Sequence, residues 1–437
     1  MTALPTKIAA SLPEDWTVAE LGEAADLKNG SAFKPEDWKT TGVPIVRIQN
    51  LKDRDAAFNY FQGDPNSKVP LKNGDLVFSW SGSIGTSFGP HYWWGDLAVL
   101  NQHIFRVDLK PKTNLTKLFL YFALLHLTKE IESHAYGLAA LVHVRKGDLE
   151  ATRVPVPPLP EQRKIAGVLG VVQRTMEQQE RLLALTAELK KALLHKLFTE
   201  GLHGEPHKET DIGRVPESWD LVPCQDLCEM ITVGVVVKPA SHYVEKGVPA
   251  FRSFNVREDR LAANDLVYFS ATANDTTLAK SKLRAGDVLV VRTGYPGTSC
   301  VVSKEYDGAN CIDLVIVRPK AGVIRSGFLS RYFNAPAGKS QAVAAKHGLA
   351  QQHLNVSAVK RTLVPVPSLE EQDEIDSALA TVQRKIALIT AKKDTLTALF
   401  RTLLHQLMTA QIRVHDLDLD VVECGDMSPH VTIRKVE

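Results

Sequence analysis

The segment VPVPPLPEQ, Val154 to Gln162, returns as VPVPSLEEQ, Val364 to Gln372, an offset of 210. The same offset carries Val172-Gln173-Arg174 onto Val382-Gln383-Arg384 and Leu194-His195 onto Leu404-His405. Looser blocks precede these in the same order. LPEDW (Leu12 to Trp16) matches VPESW (Val215 to Trp219), and TGVPIVRIQNL (Thr41 to Leu51) matches KGVPAFRSFNV (Lys246 to Val256). LKNGDLVFSWSGSIGTS (Leu71 to Ser87) matches LRAGDVLVVRTGYPGTS (Leu283 to Ser299), and YGLA (Tyr136 to Ala139) matches HGLA (His347 to Ala350). A chain built from two copies of one unit must fold as two similar bodies, because each copy carries the same local preferences.

Within each copy the texture changes once. Before the proline block, short apolar runs alternate with Gly, Pro, Asn and Asp. VPIVRIQ, DLVFSW, LAVLNQHIFRVDL, GDVLVVRT and DLVIVRP have strand length and β-branched content. KLFLYFALLHLTKEIES, Lys117 to Ser133, has the length and spacing of a helix. Each copy therefore reads as a mixed α/β domain.

After the proline block the pattern is purely helical. Pro155, Pro157, Pro158 and Pro160 force an extended lead-in, and Glu161 falls in the first turn, where the helix dipole favours an acid. No proline interrupts Glu161 to Thr199, enough for a rod of roughly 58 Å at 1.5 Å per residue. Apolar residues recur at three- and four-residue steps. In the first rod they are Ile165, Leu169, Val172, Met176, Leu183, Leu189, Leu193 and Leu197. In the second they run from Ile375, Leu379, Val382 and Ile386 to Leu407, broken at Lys393. Such a narrow stripe predicts a coiled-coil seam, with Ile165, Leu169, Val172, Met176, Ile375, Leu379, Val382 and Ile386 at the interface. The alternative is a helix lying on its own domain. Antiparallel pairing of the two rods would relate the halves by a pseudo-twofold axis.

The expected organisation is an α+β chain. A domain over 1–153 is followed by a lead-in and rod over 154–200, and a polar connector over 201–214. A second domain over 215–363 precedes a second lead-in and rod over 364–411, then a tail over 412–437.

Composition excludes some classes. At 44% hydrophobic and 23% charged, the chain is an ordinary globular protein. Five scattered cysteines fit a reducing compartment rather than a disulfide framework. The N-terminus lacks an apolar run of signal-peptide length, and no stretch approaches a membrane span, so a cytoplasmic location is expected. The 52 Lys+Arg nearly balance 50 Asp+Glu, so any positive potential must be local.

Catalytic motifs fail one by one. Pro157-Pro158 is followed by Leu159, not by the aromatic residue of a base-holding methyltransferase loop. Gly338-Lys339-Ser340 lacks the first glycine of a P-loop. Ser81 to Gly85 lacks the first glycine of a nucleophile elbow. Cys224 and Cys228 have no second pair to complete a metal site, so no metal is expected. What recurs instead is a binding constellation. Arg47, Gln49, Asn50, Lys52 and Arg54 follow a strand in copy one, with Ser81 and Ser83 in the next loop. Arg252, Asn255 and Arg257, then Arg292, Thr293 and Tyr295, hold the matching places in copy two. Arg, Asn and Gln suit base edges, while hydroxyls and lysines suit phosphates.

Two such domains, each followed by a VPVPPLPEQ-type entry into a long helix, resemble the specificity subunit of a Type I restriction–modification system. The resemblance spans residues 12 to 410. Copy two has Ser368 and Glu370 where copy one has Pro158 and Pro160. The resemblance implies a non-catalytic subunit with two target recognition domains, each reading half of a split DNA sequence. It implies an antiparallel coiled coil that spaces them and docks two adenine-N6 methyltransferase subunits. It also implies S-adenosylmethionine and ATP on partner subunits, the ATP serving motor-nuclease subunits that number two. The internal repeat is closest at the helix starts and loosest in the domains, which predicts two different half-sites and so an asymmetric target. A self-sufficient methyltransferase or nuclease, and a coiled-coil scaffold without a DNA role, are the competing readings.

Overall fold

A computed structural model of the chain describes residues 12–53, 56–83, 86–133, 135, 141–344 and 353–414. Arg54, the Tyr136–Ala139 and His347–Ala350 blocks, and the tail from 415 lie outside the described residues. The chain forms two units. One holds the residues up to Glu180 together with those from Lys392; the other is Arg181–Ala391. The division falls inside the two long helices rather than at the connector after the first rod.

In the first unit a four-stranded sheet runs in the order Ala25–Asn29, Ile104–Leu109, Asp75–Ser79, Gly89–Trp93. In the second unit the corresponding order is Cys228–Val233, Leu314–Pro319, Val288–Val291, Ser299–Val301. Each unit adds a second four-stranded sheet around one parallel pair, Val43–Val46 with Ala98–Leu100 and Val248–Phe251 with Asn310–Cys311. The apolar segment Lys117–Ser133 is a helix, as its pattern predicts.

The proline-rich lead-ins are strands. Arg153–Val156 pairs antiparallel with Thr17–Glu20, and Leu363–Val366 with Asp220–Pro223. These two-stranded ribbons tolerate proline because its missing N–H faces away from the single partner. The helices then begin at Leu159 and Leu369 and run to Glu200 and Met408. At the second start Ser368 replaces proline and caps the helix, its Oγ accepting the N–H of Glu371 at 3.2 Å.

The helices serve both expected roles at once. Ile165 and Leu169 are buried in a core that joins Leu21, Phe119, Leu120 and Phe122 of the first domain to Leu404, Leu407 and Met408. Ile375 and Leu379 join Phe328, Leu329 and Tyr332 to Leu194, Leu197 and Phe198. Each unit thus packs the start of one rod and the end of the other, antiparallel, onto its own sheet and helix. Val172, Met176, Val382 and Ile386 are half-buried. Leu189, expected in the stripe, is 51% exposed, while Thr186 and Lys190 are buried. The reason is ionic. Lys190 Nζ meets Asp259 at 2.6 Å and Gln383 Oε1 at 2.9 Å, so a charged residue takes the inward position. Lys393, the break in the second stripe, pairs with Glu180 at 2.8 Å.

The connector also differs from a plain linker. Gly201, at φ 63°, ends the first rod in the left-handed conformation that favours glycine, and His207–Thr210 and Gly213–Pro216 then form a hairpin. Among the described residues no helix is long and apolar enough to cross a membrane, and no group of three metal-ligating side chains is placed to hold an ion.

Candidate nucleic-acid interface

Strand direction gathers the loops of each unit at one end of its main sheet. In the second unit Val233 and Val291, both strand ends, flank Leu314 and Val315 at the start of the central strand. The parallel pair brings Arg252 to the same place, because Phe251 lies against Cys311. Asp313 sits at this junction with φ 52°. Its N–H donates to the Val235 carbonyl at 3.2 Å, and its carboxylate takes the guanidinium of Arg292 and the hydroxyl of Thr293. Arg292 Nε also donates to the Leu354 carbonyl at 3.0 Å, and Thr293 Oγ1 meets Nδ1 of His353.

The first unit builds the same junction with other chemistry. Trp80 follows its strand as Arg292 does, His103 precedes its strand as Asp313 does, and His143 stands at the place of His353. The Trp80 ring lies 5.2 Å from His103 and 6.2 Å from His143, and its N–H donates to Asn29 Oδ1 at 3.1 Å. One junction is aromatic and imidazole; the other is an ion pair with a hydroxyl and an imidazole.

The basic turns are likewise repeated. Arg47 N–H donates to Asn50 Oδ1 at 3.1 Å, and Arg252 N–H to Asn255 Oδ1 at 2.9 Å. Asn50 then donates to the carbonyls of Ala56 and Ala57, and Asn255 to those of Ala262 and Asn264. Both asparagines are buried. The expectation that they present amides to bases is therefore corrected: their amides are spent closing the turn, since a buried amide must find internal partners. What the turns display are Arg47, set 5.5 Å over Trp38, Arg252, set 4.5 Å over Phe254, and the exposed Gln49 and Lys52.

Ser81 is corrected for a similar reason. It is buried in a strand paired with His143, and its carbonyl accepts the Ser79 hydroxyl at 2.8 Å. Ser83 is half-buried, and its N–H donates to Ser87 Oγ at 3.0 Å. Arg257 is exposed on a hairpin with Arg260. The tip of that hairpin, Glu258 and Asp259, is tied to Lys339 and Lys190. Tyr295 is 80% exposed in the glycine loop after Arg292.

The residues that sequence reasoning missed are His103, His143, Asp313 and His353. Aligning the strand starts of the two copies was the available signal. A further repeat block, GSAFKP at Gly30–Pro35 and GVVVKP at Gly234–Pro239, also escaped it.

The chain matches the family model described as Type I restriction modification DNA specificity domain twice, over residues 13–187 and 216–398. It is 24% identical over 382 residues to the Type I restriction enzyme EcoBI specificity subunit of Escherichia coli, covering 84% of this chain and 78% of that one. It is 24% identical over 416 residues to the MjaVIII specificity subunit of Methanocaldococcus jannaschii, covering 93% and 95%. Its fold is similar to the crystal structure of a Type I restriction–modification S subunit from M. genitalium, with a TM-score of 0.60 at 18% identity over 91% of this chain and 97% of that one. The doubled match, the two repeated units and the paired helices leave one assignment: the chain belongs to the Type I restriction–modification DNA specificity family.

Proposed function

We propose that this chain is the non-catalytic specificity subunit of a Type I complex and that each unit reads one half of a bipartite, asymmetric target in double-stranded DNA. The observation that carries this reading is the exchange at the loop junction. Trp80, His103 and His143 in one unit stand where Arg292, Asp313 and His353 stand in the other, on the same strand framework. Identical scaffolds with different polar groups at the same point suit the reading of different base edges. Arg47, Gln49, Lys52, Arg252 and Arg257 then supply phosphate and base-edge contacts. Local basic turns in a chain of net charge +2 suit a protein that acquires DNA affinity through assembly.

In this reading the paired helices set the spacing between half-sites and dock two adenine-N6 methyltransferase subunits. S-adenosylmethionine is held by those partners, and ATP by two motor-nuclease subunits. Co-expression with the methyltransferase subunit, followed by motif calling on the modified DNA, tests the reading. A bipartite motif with two unlike halves is expected; a perfect palindrome would count against it. The purified chain alone, given DNA and labelled S-adenosylmethionine, is expected to transfer no methyl group.

A further inference from the structure

The repeated block GSAFKP, Gly30–Pro35, and GVVVKP, Gly234–Pro239, makes one contact in common. In both copies its glycine is pressed onto the start of the loop junction. Gly30 N–H donates to the Ile104 carbonyl at 2.9 Å, and Gly234 N–H to that of Leu314 at 2.8 Å. A Cβ at Gly30 would lie 1.9 Å from the Asn101 carbonyl oxygen, and one at Gly234 would lie 2.4 Å from that of Cys311. The next residues make matching bonds, Ser31 N–H to Leu100 O and Val235 N–H to Cys311 O, each at 2.8 Å. Both loops are therefore fixed at the same place and in the same direction.

Their tips differ. In the first unit Phe33 folds back edge-on against Phe61 at 5.7 Å, beneath the Lys68 ammonium. In the second unit Val235 fills the apolar site with Ala250, Phe269 and Ile312. The core needs no more from this loop, yet Val236 is 49% exposed and Val237 75% exposed. Lys238 then turns the chain in the left-handed conformation, φ 42° and ψ 52°, and Pro239 opens a short 3-10 turn. Two branched apolar side chains are thus held out on a short, doubly anchored loop.

The surroundings select the occupant. Asp313 N–H bonds Val235, and Asp313 also holds Arg292, so the tip lies beside the junction. Lys238 follows Val237 directly on the same loop, and Arg252, set over Phe254, follows the neighbouring strand Val248–Phe251. An apolar tip followed by Lys238, on a loop bonded to the Arg292–Asp313 junction, fits an anionic partner that carries one apolar feature, which is the 5-methyl group of thymine in the DNA major groove.

We propose that Val237, supported by Val236, reads a thymine by contact with its 5-methyl group in the half-site assigned to the second unit. The proposal rests on the DNA-reading function above. The test uses the full chain assembled with its methyltransferase subunits. Each thymine of the motif is replaced in turn by deoxyuridine, and binding is measured for the wild-type complex and for V237A. One replacement in the second half-site is expected to weaken wild-type binding about fourfold, the worth of one buried methyl, and to leave V237A unaffected. V236A is expected to reduce the same discrimination by a smaller factor.

Equal sensitivity of wild type and V237A to every replacement overturns the proposal, as does a second half-site without thymine. Weakened subunit assembly in V237A, with the assembled fraction still discriminating the methyl as wild type does, overturns it too, by reassigning the tip to a protein contact. A wild-type complex with no sequence selectivity at all would instead overturn the DNA-reading function itself.

Discussion

The indole N–H of Trp16 donates to the carboxylate of Glu161 at 2.9 Å, across 145 residues, with both side chains buried. Trp219 donates to Glu371 at 3.0 Å in the second unit. Each glutamate also holds the chain just beyond the end of the other rod. Arg413 Nε donates to Glu161 at 2.7 Å, and Leu202 N–H to Glu371 at 3.0 Å. The neighbouring glutamine of the signature works in parallel. Gln162 accepts Thr116 N–H, and Gln372 accepts Arg325 N–H, each at 2.8 Å. The repeated Glu-Gln therefore locks domain entry, helix start and the returning rod at one point. Its carboxylate holds Arg413 strongly in the charged form, with Asp15 assisting.

Glu161→Ala leaves a buried indole donor unpaired and removes one partner of Arg413. A loss of about 2–4 kcal/mol is expected, with Glu161→Gln losing less because it retains an acceptor. Chemical denaturation of the chain checks this, the transition of the first unit moving and that of the second staying in place.

The second unit fastens its rods with charge where the first uses rings. Lys190 and Arg331 converge on Asp259 at 2.6 and 3.2 Å, and Arg331 reaches Asp376 at 2.6 Å. Phe400 and Phe122, 6.2 Å apart, hold the equivalent places in the first unit. Asp259→Ala removes the carboxylate shared by two buried cations, leaving Arg331 to Asp376 and Lys190 to Gln383 and the more distant Glu258, and a destabilisation of about 1–3 kcal/mol is expected. The midpoint of urea unfolding is the measurement, and a change below 1 kcal/mol would refute the role.

Acid should weaken the first unit. Burial, together with the facing His405 ring at 5.6 Å, pushes the His126 imidazole down to about 4 from 6.5. The unfolded chain thus binds the proton more readily. Stability is complete above pH 6.5 and is lost as the pH falls toward 4, by on the order of 3 kcal/mol. His126→Leu is expected to flatten the fall in melting temperature across that window.

Half-site chemistry should be separable. Trp80→Ala is expected to relax the motif only in one half and Arg292→Ala only in the other, with losses of about 1–3 kcal/mol for the affected half. Motif calling on DNA modified by each variant complex reads this directly.

Helix length should set spacing. Removing four residues, one turn of about 6 Å, from both long helices is expected to shorten the non-specific spacer by about one or two base pairs. An unchanged spacer would sink the ruler.

Much of the architecture was legible because its causes are local. Strand runs such as DLVFSW and DLVIVRP, the helix Lys117–Ser133, and the proline lead-ins all formed where their residue types prefer to be. The coiled-coil stripe was legible as a period but not in its detail. Leu189 and Lys190 exchanged places because Asp259, 69 residues away, offers Lys190 a partner. The roles of the two asparagines were not legible, because side-chain type does not say whether an amide faces solvent or closes its own turn. Asn50 and Asn255 do the latter.

The sequence by itself determined that the chain is a duplicated unit, where each helix begins, and which family it resembles, since repetition and proline-directed helix starts are written in neighbouring residues. Only the tertiary structure decided which side chains meet at the loop junction of each copy. Trp80 meets His103 and His143, and Arg292 meets Asp313 near His353, because strand ends converge there. The physical reason is distance along the chain: residues 21 to 63 positions apart carry no local sign that pairing will bring them together.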